Sequence, residues 1–188
     1  MKINSLSGVG RVIVKNGNIE SLYLASNIIH LEDKTILCYY NCTLPPYKFH
    51  WYGFSRTEIY KYYLSKSFVN IENCLQNPRP LNNNLFINYF EKLKKSKFMI
   101  CPRGCAIDTY RIWDCLYMGC IPIVLKYEGY HYFTDLPILF VEKEEDFFKL
   151  EEKELEQIWK EYLDKEWNYE KLKMSFWKKL IQESNHFV

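Results

Sequence analysis

The chain has 188 residues, 48% of them hydrophobic and 18% aromatic, with 25 basic against 23 acidic side chains and a net charge of +2. That length predicts one domain with a self-sufficient core, and the near balance of charge carries no polyanion signal of the kind expected for a nucleic-acid binder. No apolar run reaches the roughly 18 residues of a membrane-spanning helix, and Met1-Lys2-Ile3-Asn4-Ser5 lacks the apolar core of a signal peptide. The expected location is the cytoplasm, or a host cytoplasm if the source is viral. Seven cysteines (Cys38, Cys42, Cys74, Cys101, Cys105, Cys115 and Cys120), with no secretory leader, predict free thiols in a reducing compartment. Neither Cys38/Cys42 nor Cys101/Cys105 has the CxxC spacing of structural zinc, so no metal site is expected.

Residues 1–33 are weakly patterned: Gly8, Gly10 and Gly17 punctuate short apolar stretches, readable as a hairpin or an irregular leader. From Lys34 the pattern sharpens. Lys34 to Tyr40 reads as a buried strand, followed by a polar loop from Asn41 to Gly53 with Pro45-Pro46. Ser55 can cap a helix through about Leu64, with Glu58 completing a capping box. Phe68 to Ile71 is a short strand, and Pro78, Pro80 and Asn82-Asn83-Asn84 mark a loop. Leu85, Phe86, Tyr89, Phe90 and Leu93 have helical spacing, and that helix ends in Lys92, Lys94 and Lys95.

Phe98 to Cys101 is the next strand, stopped by Pro102. Thr109 to Met118 is a helix closed by Gly119. Cys120 to Leu125 and Ile138 to Val141 are further strands, and residues 144–183 are amphipathic with room for two or three helices. Strands alternating with helices predict βαβ units and a doubly wound, mainly parallel α/β sheet. Strands without polar alternation fit a sheet covered on both faces.

In such domains ligands bind beyond the carboxyl ends of the strands. The crossing Cys101-Pro102-Arg103-Gly104-Cys105-Ala106-Ile107-Asp108-Thr109 takes a strand end through a small-residue loop into a helix, an arrangement that favours phosphate. Arg103 and Arg111 can add a charge-assisted fork on a diphosphate. Ile112, Cys115, Leu116 and Gly119 share one helix face and should pack on the sheet. Arg111 and Asp114 share another side, suited either to phosphate and ribose or to an exposed ion pair of little consequence. Asp108 reads first as a simple helix N-cap and second as a ligand contact.

The segment KFMICPRGCAIDTYRIWDCLYMGCIPIVL, with YFTDLPILFV after it, resembles the exostosin-like glycosyltransferases (glycosyltransferase family 47), especially compact bacterial and large-virus members. The shared pattern is a strand ending in CP-x-G, a DT-x-R-x-W-[ED] helix, a G-x-IPIV strand and a DLP-[IV]-L-x-V strand. It runs from Lys97 to Val141, with weaker similarity from about Lys34 to Glu183. This chain carries Cys105-Ala106-Ile107 where the family more often has Gly-Asn-Gly.

The resemblance implies a two-domain B-type (GT-B) fold whose C-terminal, Rossmann-like half holds the nucleotide sugar. Here residues 34–188 would be that half with its C-terminal helices, and 1–33 a leader or remnant of the acceptor domain. Arg103 and Arg111 would face the diphosphate and stabilise it as it leaves. Gly104, Asp108 and Thr109 would shape the loop, and Asp114 would hold the ribose. Arg56, opening the first helix, would lie near the diphosphate or remain a surface arginine. No metal and no cofactor beyond the nucleotide-sugar donor is implied, and the acceptor would be a glycan or glycoconjugate hydroxyl. Tyr127 and Tyr130 are candidates for base stacking or for packing. His50, Glu128 and His131 are candidate bases by type. Three readings follow: a glycosyltransferase; a non-catalytic nucleotide-sugar-binding module paired with a separate acceptor-domain chain; or an unrelated Rossmann-like nucleotide binder. The last has neither a GxGxxG nor a GxxxxGK[ST] motif behind it.

Overall fold

The computed structural model describes residues 34–42, 44, 56–72, 83–104 and 109–184, without the side chains of 83–87 and 184. The expectations for residues 1–33, the Ser55 cap and the proline loops lie outside these residues. Five strands, β1 (Ile36–Tyr40), β2 (Val69–Ile71), β3 (Ser96–Ile100), β4 (Ile121–Leu125) and β5 (Leu139–Val141), form one parallel sheet. Their order is β2-β1-β3-β4-β5. The helices are α1 (Arg56–Tyr63), α2 (Asn83–Lys95), α3 (Tyr110–Tyr117), α4 (Glu152–Leu163) and α5 (Met174–Ser184). Short 3-10 turns occupy Glu128–Phe133, Glu144–Phe148 and Tyr169–Leu172. The doubly wound α/β architecture read from the sequence is the one found.

The strands lack polar alternation because each face of the sheet has its own cover. Phe98 and Ile100 of β3 point to one side, where they join Cys38, Tyr40, Ile121 and Ile123 under Ile59 and Tyr63 of α1 and Leu155 and Trp159 of α4. Met99 and Cys101 point to the other side, joining Tyr39 and Val124 under Leu93 of α2 and Ile112, Cys115 and Leu116 of α3. The predicted phase of Ile112, Cys115 and Leu116 therefore matches the packing. The sheet register aligns Cys38 with Phe98 and Phe98 with Ile121, so the central strand is gripped from both neighbours.

Helix α3 is shorter than its sequence pattern, because Thr109 is the extended N-cap (φ −112°, ψ 143°) and Met118 the C-cap. It ends in a Schellman turn: the Cys120 N–H donates to the Cys115 carbonyl at 2.9 Å and the Gly119 N–H to Leu116 at 3.3 Å. Gly119 sits at φ 65°, where a Cβ is strained. This turn drops the chain straight from α3 into β4.

The C-terminal helices are tied to the loop after β4 through Asp135. Its carboxylate accepts from Lys171 Nζ at 2.6 Å and Asn168 Nδ2 at 3.0 Å, and its carbonyl accepts from the Asn168 amide at 2.9 Å. Partial burial pushes the Asp135 carboxyl up, but these donors outweigh it and hold it below the ordinary value of 3.8. Among the described residues no helix is long and apolar enough to cross a membrane.

Gly119→Ala should lower the unfolding free energy by about 1–2 kcal/mol, read from chemical denaturation. For Asp135 the effect depends on pH. A depressed folded-state carboxyl stabilises above its unfolded pKa and loses that contribution as pH falls through the folded value. Denaturation midpoints should therefore drop on acidification through and below the ordinary aspartate range. Asp135→Asn should be less stable at neutral pH and show a shallower acid limb.

Candidate functional site

With strand order β2-β1-β3-β4-β5, the connections that follow β1 and β3 leave in opposite directions. The gap beyond the carboxyl ends of those two strands is the topological switch point, where doubly wound sheets bind ligands. Asn41 and Cys42 leave β1 at one lip. Cys101, Pro102, Arg103 and Gly104 leave β3 at the other.

Two arginines cross this gap in opposite senses. Arg111, in the first turn of α3, donates from Nε to the Asn41 carbonyl at 2.9 Å. Arg56, opening α1, donates from Nε to the Arg103 carbonyl at 3.2 Å. The Tyr40 hydroxyl donates to the Arg56 carbonyl at 2.7 Å, fixing the start of α1 on the end of β1. Both guanidiniums act on Cys42: burial pushes that thiol up, and the charges of Arg111 and Arg56 pull it partly back.

Arg111 is only 5% exposed. Among the described residues no carboxylate pairs with it. Its neighbours are the Tyr110 ring, 4.7 Å from the guanidinium carbon, and the groups of Cys42, Tyr89 and Cys101. Burial alone would lower its pKa, yet those groups hold it raised, so it is a fixed cation. The exposed Arg111–Asp114 ion pair considered from the sequence is excluded by this burial.

Asp114 is 1% exposed and lies against α2, where the Tyr89 hydroxyl donates to Oδ2 at 3.3 Å. Burial first, then the Asp114 carboxylate, pushes the Tyr89 phenol up. Thr109 is 6% exposed and does not cap α3 with its side chain; its Oγ1 is buried without a hydrogen-bond partner among the described residues. Asp108, like Cys105-Ala106-Ile107, lies outside the described residues, and the N-cap position expected of it is held by Thr109. Gly104 makes room for Arg56: a Cβ there would stand 2.6 Å from Nη2. Arg103 lines a small recess with Ile59, Pro102 and Phe147 on the α1 side.

The aromatic candidates separate. Tyr130 is buried and tilts on Phe140 at 5.7 Å, so it is a packing residue. Tyr127 is 49% exposed just past the end of β4, edge-on to Tyr130. Of the candidate bases, His131 is exposed and its Nδ1 lies 2.6 Å from the Glu128 carbonyl within the same 3-10 turn, whereas His50 lies outside the described residues. Among the described residues no group of three His, Cys, Asp or Glu side chains is arranged to hold a metal ion.

Sequence reasoning misses Asn41 and Glu72. The Asn41 side-chain amide donates to Glu72 Oε2 at 2.7 Å and to the Tyr39 hydroxyl at 2.8 Å, while its carbonyl holds Arg111. The signal that could have found Asn41 is its position, first past β1 on the ligand side of the sheet.

Residues 48–130 match the family model described as RXYLT1 C-terminal domain. Three Arabidopsis thaliana proteins, each named "probable glycosyltransferase", are similar over short stretches. One is 34% identical over 50 residues, covering 27% of this chain and 10% of its own length. A second is 35% identical over 40 residues, covering 21% and 8%. A third is 40% identical over 43 residues, covering 23% and 8%. The matched stretches thus span a tenth or less of these relatives. These likenesses are partial and point to glycosyltransferases, and Arg56, Arg103, Gly104, Thr109, Arg111 and Asp114 all fall inside the segment matched by the family model.

Gly104→Ala tests the packing at the lip. Because the added methyl meets the flexible end of a side chain, stability should change by no more than about 0.5–1 kcal/mol. Arg56 Nη2 should move off the loop, visible as a displaced guanidinium in a crystal structure of the variant.

Proposed function

We propose that this chain supplies the donor-binding domain of a glycosyltransferase. A nucleoside-diphosphate sugar binds with its diphosphate across the β1/β3 gap, and the sugar passes to a hydroxyl of a glycan acceptor. The observation that carries this reading is Arg111: a cation only 5% exposed, in the first turn of a helix, with no carboxylate partner among the described residues. A charge so placed costs several kcal/mol unless an anion meets it. The helix dipole adds to that cost, because the N-terminal turn already carries positive potential. A diphosphate answers both.

In transfer, the bond between the anomeric carbon and the diphosphate oxygen breaks as the acceptor oxygen bonds to that carbon. The nucleoside diphosphate leaves, and the acceptor proton passes to a base. Arg111 and Arg103, with the α3 amides, would stabilise the charge growing on the leaving diphosphate. No metal is required in this scheme. Gly104 and Thr109 would let the loop approach the phosphates, Arg56 would add a second cation, and Asp114 would reach the ribose only if the α2 contact at Tyr89 opens.

A second reading keeps the binding and drops the chemistry. The strands among the described residues form a single sheet, which this reading takes as the donor-binding half of the expected fold. On this reading the chain is a nucleotide-sugar-binding module and a separate chain brings the acceptor.

Calorimetric titration with UDP, GDP, ADP and CDP should find at least one binder. Arg111→Ala should weaken it by about 1.5–3 kcal/mol, the range for a charge-assisted contact. Binding of none of the four would sink both sugar-nucleotide readings. Release of free nucleoside diphosphate from its sugar conjugate, with and without glycan acceptors, then separates transferase from module.

A further inference from the structure

We propose that Glu72, just past the end of β2, is a positioning residue that sets Arg111 for the diphosphate by fixing Asn41; this role rests on the diphosphate-binding reading above. Asn41 works at both ends. Its carbonyl holds Arg111 Nε at 2.9 Å, and its side-chain amide is anchored on Glu72 Oε2 at 2.7 Å and on the Tyr39 hydroxyl at 2.8 Å. The orientation of the carbonyl therefore depends on the anchor of the side chain.

The anchor needs a carboxylate. Glu72 Oε2 accepts from both Asn41 Nδ2 and the Tyr39 hydroxyl, while Oε1 pairs with Lys92 of α2. An ionised carboxylate has the lone pairs for all of these, whereas a glutamine amide presents one acceptor and one donor end. The backbone of Glu72 is itself fixed, since its N–H donates to the Tyr40 carbonyl at 3.2 Å and extends the β1–β2 ladder. A run of contacts thus joins α2, β2 and β1 to the arginine of α3. Burial pushes the Glu72 carboxyl up, but Lys92, Tyr39 and Asn41 together hold it below its ordinary value, so it is ionised at neutral pH.

The sign of the effect separates this role from simple electrostatics. By charge alone, removing an anion near the site should strengthen diphosphate binding. Positioning predicts the reverse. In titrations with UDP, GDP, ADP and CDP, Glu72→Gln and Tyr39→Phe should each weaken the tightest of these by about three- to tenfold, the loss of a hydrogen bond or two. In an Arg111→Lys background, which has no Nε–H to place, either change should shift affinity by less than about twofold. Circular dichroism checks that each variant is folded, and Tyr39→Phe decides the matter if Glu72→Gln is not.

Unchanged or tighter binding in both variants would overturn the role. So would equal losses in the wild-type and Arg111→Lys backgrounds. If the wild-type chain binds none of the four, the diphosphate reading falls and this role with it. If the wild type binds and Arg111→Lys weakens it while Glu72→Gln and Tyr39→Phe do not, only the role of Glu72 falls.

Discussion

The organising interaction of this molecule is the hydrogen bond from buried Arg111 to the Asn41 carbonyl, across the gap between β1 and β3. Its counterpart, Arg56 to the Arg103 carbonyl, crosses the same gap from the other side. Each arginine uses Nε on a backbone oxygen of the opposite lip, so the two lips are held at a fixed separation. For Arg111 two contacts offset the cost of burial. A hydrogen bond from a charged donor is worth about 1.5–3 kcal/mol, and a ring such as Tyr110 adds about 0.5–2 kcal/mol. The effective cost of burying an ion is several kcal/mol. An anion at the gap would add a charge-assisted contact to these, in keeping with the proposed diphosphate.

The rest of the fold serves this geometry. β3 is central in the sheet and covered on both faces, so the loop that follows it starts from a rigid point. Helix α3 is seated by Ile112, Cys115 and Leu116, and its Schellman turn at Gly119 fixes where it ends. With one face locked to the sheet, Arg111 and Asp114 are turned toward β1 and α2 rather than toward solvent. The buried Cys101 and Cys115 sulfurs lie 3.9 Å apart, joining the end of β3 to α3.

Much of this is legible in the sequence for identifiable reasons. The strands stand out as apolar runs because both faces are covered. Pro102 stops one strand, and Gly119 ends α3 where a positive φ is needed. The arginines are legible as types and positions: a basic residue in the first turn after a strand and small-residue loop. What is not legible is through-space. The acceptor of Arg111 is a backbone carbonyl 70 residues earlier in the chain, and no residue-type pattern marks a carbonyl. Glu72 is invisible for the same reason, since its role depends on β2 pairing beside β1. Spacing alone leaves Asp114 as readily exposed as buried, because its burial comes from the packing of Tyr89 on α2. Tyr130 reads as a loop aromatic and is core, since a 3-10 turn folds it back over Phe140.

A crystal structure of the chain with whichever of UDP, GDP, ADP or CDP it binds best tests the central claim most directly. The account predicts diphosphate oxygens between Asn41–Cys42 and Arg103–Thr109, within hydrogen-bond distance of the Arg111 guanidinium. A carboxylate of the chain itself paired with Arg111, with the diphosphate bound elsewhere, would contradict it.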